Sequence, residues 1–207
     1  MKMLKKAAAV LLATAMSLTM LTACGGGSGS GSGSSGVFEG TYTIKTSVVE
    51  CNGKPVTTES SYQTTNGTWT YQEDTDEDGT IGYLTGPDAV YLVNPTKKTA
   101  CKISDKGTSS STPDTGAGYT IKTEYGTWEY NNKTYTTQST IIESAEGKQI
   151  TTCCFDENGK FAYIKNEESG NGHTYTEIVR VNEYSHTADE SKLNLKNYTI
   201  VSEKDFE

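Results

Sequence analysis

Alternation is the feature that most limits what this chain can fold into. Phe38, Tyr42, Ile44 and Val48 are interleaved with Glu39, Thr41, Thr43 and Lys45. A period of two places apolar side chains on one face of an extended strand and polar ones on the other. Turn residues break the pattern at short intervals. Asn52-Gly53 and Asn66-Gly67 read as hairpin turns, Gly86-Pro87-Asp88 and Asn94-Pro95 as further reversals. Between them, residues 56–64, 68–71, 81–84, 89–93 and 99–103 read as strands. The spacing predicts six strands in an antiparallel meander.

Residues 104–118, SDKGTSSSTPDTGAG, carry no apolar side chain larger than Ala. They read as a long loop, functional or disordered. Beyond them the strand pattern returns over 119–130, 135–143, 149–155, 161–165 and 174–181, with turns at Asn131-Asn132, Glu146-Gly147 and Asn158-Gly159. Residues 188–193 read as one short helical turn with Thr187 as N-cap. Residues 198–202 read as a closing strand. No segment of this region sustains a 3.6-residue period. The expected fold is mainly β, about ten or eleven strands with little helix. A sheet that large must curl, split or close. Thirteen tyrosines and only four prolines agree with strand.

The start of the chain follows different rules. Lys2, Lys5 and Lys6 precede the uncharged residues 7–20. That run has the length of a signal-peptide core and is short for a membrane span, which needs about 20 apolar residues. Leu21-Thr22-Ala23-Cys24 follows and resembles the lipobox of bacterial lipoproteins. The resemblance implies that residues 1–23 are a lipoprotein signal peptide and that Cys24 becomes the lipidated first residue. Its acyl chains, palmitate among them, would then hold the protein in a lipid bilayer on the extracytoplasmic face of the cell membrane. Residues 25–36, GGGSGSGSGSSG, bring no side chains to pack and read as a flexible tether of about 20 Å. With Cys24 they form the segment 24–36. Residues 37–207 then make one β domain.

Charge excludes some partners. All 26 acidic residues follow Cys24 and three of the 18 basic residues precede it, so the remainder carries 15 − 26 = −11. Nucleic acid and anionic surfaces repel such a domain. Cys51, Cys101, Cys153 and Cys154 lack the spacing of a zinc site. A disulfide among them is allowed outside the cytoplasm, with the pairing left open. Cys153 and Cys154 are adjacent, so on a strand only one is expected in the core.

Residues 89–102, AVYLVNPTKKTACK, and residues 192–198, KLNLKNY, are similar to segments of envelope lipoproteins of the LolA-like superfamily. The resemblance implies a single strongly curved antiparallel sheet, an unclosed half-barrel whose concave face carries a lipid or another amphipathic ligand. No catalytic motif comes with it.

The remaining motifs are few. Asp74, Asp76 and Asp78, followed by Gly79, match the opening of a calcium loop, although Thr85 stands where a bidentate Glu belongs. The alternative is a solvated acidic turn. His173 and His186 have no ligand-spaced neighbour and read as surface residues. No Gly-x-Ser-x-Gly elbow, acid–base pair or metal triad points to catalysis. The chain is therefore expected to be no enzyme. The aromatics Trp69, Tyr71, Tyr83, Tyr91, Tyr119, Trp128, Tyr130, Tyr135 and Tyr163 read first as sheet core, and otherwise as an amphipathic trough. The alternative role is a structural or adhesive surface protein.

Overall fold

The computed structural model describes residues 40–105, 120–145 and 147–206. The signal segment, Cys24, the tether, residues 106–118 of the expected loop, and Tyr119 lie outside them. Everything described belongs to, or packs on, a single open sheet of thirteen strands. Eleven have six residues or more: β1 (Tyr42–Cys51), β3 (Ser60–Thr65), β4 (Thr70–Asp76), β5 (Gly79–Thr85), β6 (Ala89–Asn94), β7 (Thr99–Asp105), β8 (Thr120–Tyr130), β9 (Lys133–Ser144), β10 (Gly147–Phe155), β11 (Phe161–Gly170) and β12 (His173–Ser185). The two beyond the expected count are two-residue pieces, β2 (Lys54–Pro55) and β13 (Thr199–Ile200). They are too short to leave a period in the sequence.

The order is β13-β7-β6-β5-β4-β3-β1-β12-β11-β10-β9-β8, with β2 attached to β1. Two antiparallel meanders meet where β1 pairs with β12, placing Ile44 opposite Tyr184 and Val48 opposite Val179. The sheet is not wholly antiparallel, because β13 runs parallel to β7. Residues 198–202 therefore extend one edge and close nothing.

Local chemistry explains the hairpins. Asn52 and Gly53, Asn131 and Asn132, and Asn171 and Gly172 all have positive φ. Each pair forms the two-residue loop of a tight hairpin, whose twist matches that of the flanking strands. The Asn171-Gly172 turn lets β11 run well past residue 165, and pairing of Glu183–Ser185 with Thr43–Lys45 of β1 carries β12 past residue 181, where the sequence pattern fades.

Both faces of the sheet are packed. On one, Tyr42, Ile44, Cys153, Phe161, Ile164, Val179 and Val181 form a core. On the other, Tyr71, Leu84, Val93 and Ala100 are covered by Leu193, with Ala188, Leu195 and Tyr198 beside it. The covering segment, residues 186–198, crosses the face as successive turns. The helical turn expected over 188–193 is absent, and the only helix among the described residues is a 3-10 turn, Glu203–Asp205. The segment is fastened by polar contacts. Asp189 accepts from the Tyr62 hydroxyl at 2.9 Å, and its own N–H donates to Thr64 Oγ1 at 2.8 Å. Lys192 Nζ lies 3.4 Å from Glu73 and 5.0 Å from the Tyr71 ring centre. The chain then rounds the edge, and Phe206 packs with Leu92 and Cys101 on the first face.

Both adjacent cysteines are buried, which corrects the expectation that only one lies in the core. Cys153 is 1% exposed on the first face and Cys154 is 0% exposed on the second. All four described cysteines are unpaired thiols.

Candidate functional site

The structure divides the eight described aromatics of the nine between the faces, so these eight form no single trough. Tyr71 is wholly buried, with Trp69 and Tyr91 packed alongside, under the C-terminal segment. Tyr83 packs on the opposite face, beside Leu92 and Phe206. The core reading therefore holds for these four.

Four others gather elsewhere. The tight turn at Asn131-Asn132 brings β8 and β9 together, placing Trp128 opposite Tyr135. Two strands away, Tyr163 of β11 stands on the same face. Trp128 and Tyr130 stack at 4.6 Å between ring centres and 13° between planes. Tyr163 meets Trp128, Tyr130 and Tyr135 edge-on at 5.9, 5.4 and 5.3 Å. Offset and edge-to-face contacts at these distances are the favoured geometries of aromatic pairs. Tyr135 is buried, while Trp128, Tyr130 and Tyr163 are half-buried. Burial raises the phenol pKa of Tyr130 and Tyr135, with neighbouring anions adding to the rise. Both stay neutral hydroxyls at physiological pH. The result is an apolar platform with a polar rim on the outer hairpin of the sheet. Single-residue patterning missed it because only register shows which rings share a face.

The acidic hairpin forms a hydrogen-bonded turn between β4 and β5. Asp74 and Asp76 lie on β4 and Asp78 in the turn to β5. Asp76 Oδ1 accepts the backbone N–H groups of Asp78 and Gly79 at 2.8 and 3.1 Å, so it stabilises the turn. Asp74 Oδ2 accepts from Gln72 Nε2 at 3.1 Å. Burial raises the Asp74 pKa above the usual carboxylate value, outweighing the Ser61 and Gln72 hydrogen bonds that lower it. Among the described residues no three His, Cys, Asp or Glu side chains gather at metal-binding distance.

A second polar group lies across the middle of the sheet. Glu177, 5% exposed, accepts from Asn166 Nδ2 at 3.0 Å and from the Tyr175 hydroxyl at 3.1 Å. Gln63 Oε1 and Asn166 Oδ1 are buried acceptors without a donor among the described residues. His173 is exposed beside the β11–β12 turn, and exposed His186 packs edge-on against Tyr184 at 5.0 Å. Neither reaches the Glu177 group or the platform in the contacts described.

No protein-family model matches the chain, and no curated protein matches it.

Proposed function

We propose that this chain is an extracytoplasmic lipoprotein, anchored through acyl chains on Cys24, whose β domain binds a lipid or other amphipathic envelope ligand without catalysis. The observation that carries the anchor is the order at the N-terminus: Lys2, Lys5 and Lys6, then the uncharged run 7–20, then Leu21-Thr22-Ala23-Cys24. The Gly/Ser segment that follows suits a tether.

In this reading the sheet is a strongly curved, LolA-like half-barrel. Chain connectivity supports that shape. Five antiparallel steps lead from β1 to β7 and five from β1 to β8, so β7 and β8 point the same way, ten strand intervals apart. In a flat sheet ten intervals measure about 48 Å. The end of β7 and the start of β8 also lie at opposite ends of the strand axis, raising the span from Asp105 to Thr120 to more than about 50 Å. Fifteen residue steps reach about 50 Å at full stretch. Curvature brings the strands within easier reach. Register shifts in β1–β12, β10–β11 and β6–β7 supply places to bend.

The ligand is assigned to the platform of Trp128, Tyr130, Tyr135 and Tyr163, which offers ring faces and hydroxyls together. Replacing Cys24 with Ser tests the anchor. The protein is expected to move from the membrane to the soluble fraction, and retention in the membrane would refute it. Native mass spectrometry of the purified protein tests the ligand. A bound lipid-range mass that Trp128→Ala removes is expected. A bare protein mass from gentle extraction would refute carriage and leave the structural or adhesive role, which the exposed strand β8 favours.

A further inference from the structure

Of the strands with six residues or more, the most exposed is β8, at one end of the sheet. β8 has a single neighbour, β9, among the described residues. Its first eight residues are all exposed. Its ladder with β9 runs through eleven consecutive pairs without a bulge. A long strand edge presents unpaired N–H and C=O groups, and proteins usually blunt it with Pro, a bulge or a covering segment. The opposite edge is blunted in this way: β13 covers the start of β7, and β7 is bulged against β6. β8 contains no Pro. The exposed large hydrophobic residues of the described structure are Ile103, Ile121, Tyr125 and Ile200, and Ile121 and Tyr125 both belong to β8, at 46% and 67% exposure.

The sequence of β8 is complementary to itself. In an antiparallel pair of identical strands, residues i and j face each other when their numbers have a fixed sum. With Thr123 opposite its own copy, Ile121 faces Tyr125 and Lys122 faces Glu124, each pair occurring twice. Moving the centre to Glu124 sets like charges opposite one another, and so does moving it to Lys122. Centring on Tyr125 pairs Lys122 with Trp128 and Ile121 with Glu129. Of these registers only the first joins opposite charges on one face and apolar side chains on the other. Lys122 also reaches Glu143 of its own sheet at 3.6 Å, which leaves it 57% exposed at that edge.

We propose that β8 is a homodimerisation edge: it pairs antiparallel with β8 of a second copy of this chain, centred on Thr123, and continues one sheet into the other. This pairing is isologous, so it closes at two copies. It does not depend on the Cys24 anchor and is measurable in membranes or, for a Cys24→Ser chain, in solution.

Cysteine cross-linking of the full chain tests both partner and register. Residues directly opposite in an antiparallel pair have Cα atoms about 4.5–5.5 Å apart, within disulfide range. Under mild oxidation Thr123→Cys is expected to give a reducible dimer, at least about tenfold more than Glu124→Cys or Tyr125→Cys. Lys122→Glu, added to Thr123→Cys, is expected to lower the yield by about tenfold, since it creates two like-charge pairs. Adding Glu124→Lys restores it. Circular dichroism checks that each variant keeps its strand content. Equal cross-linking at 123, 124 and 125 would overturn the proposal. So would a Thr123→Cys chain that stays monomeric while folded, including one that cross-links only to a different protein.

Discussion

Leu193 offers the sharpest test of how this sheet is covered. It is 4% exposed and sits on a segment without helix or strand, against Tyr71, Leu84, Val93 and Ala100. Truncating a buried Leu to Ala costs about 2–5 kcal/mol, the larger values where the site cannot collapse. The segment is held by turns, so partial collapse is expected and Leu193→Ala is placed at about 2–3 kcal/mol. For a domain of this size, each kcal/mol lowers Tm by about 2–4 °C, giving a fall of about 5–10 °C. Urea unfolding followed by tryptophan fluorescence measures the loss as a shifted midpoint with an unchanged slope. Lys196→Ala, at an exposed position of the same segment, is the control and stays within about 0.5 kcal/mol of the parent. If Leu193→Ala loses less than about 1 kcal/mol, the segment does not seal this face and the packing argument fails.

Three further outcomes follow from the same packing. A Cβ on Gly82 would stand 2.6 Å from Val93 Cγ2 and 3.1 Å from the Tyr71 hydroxyl, so Gly82→Ala is expected to cost about 1–3 kcal/mol in the same unfolding assay. Burial raises the Asp74 pKa, so its carboxylate opposes folding once pH rises above the ordinary carboxylate value, and the penalty levels off above the raised value. Asp74→Asn is therefore expected to be more stable than the parent at pH 7. That advantage should disappear below about pH 4; an unchanged difference at low pH would refute the assignment to charge. Burial pushes the thiols of Cys153 and Cys154 up to about 12, so a thiol reagent at pH 8 should label both only after unfolding. Labelling of either in the folded protein would mean that its face is open.

Most of the strand pattern was legible in the residues, because alternation and Asn-Gly turns act locally. Asn52-Gly53 and Asn131-Asn132 mark hairpins that two positive φ values require. What was not legible depends on distant parts of the chain meeting. Nothing near Ile44 announces that Tyr184 will face it. The covering of the second face by Leu193 lies in no periodicity, and it is what buries Tyr71 and Val93. The same limit explains the aromatics. Trp69 and Trp128 look alike in sequence, yet one packs under the C-terminal segment and the other joins the platform with Tyr163. The acidic hairpin is ambiguous in sequence for a local reason: an Asp that accepts two backbone N–H groups in a turn has the same spacing as one that opens a calcium loop.

The account turns on Cys24. Labelling the producing cells with radioactive palmitate, together with mass analysis of the N-terminal peptide, tests it most directly. The expected result is label on the protein, a mature chain beginning at residue 24 with a diacylglyceryl thioether, and loss of the label in Cys24→Ser. An unmodified Cys24, in a protein that is exported or still carries Met1, would contradict the anchor and with it the proposed site of action.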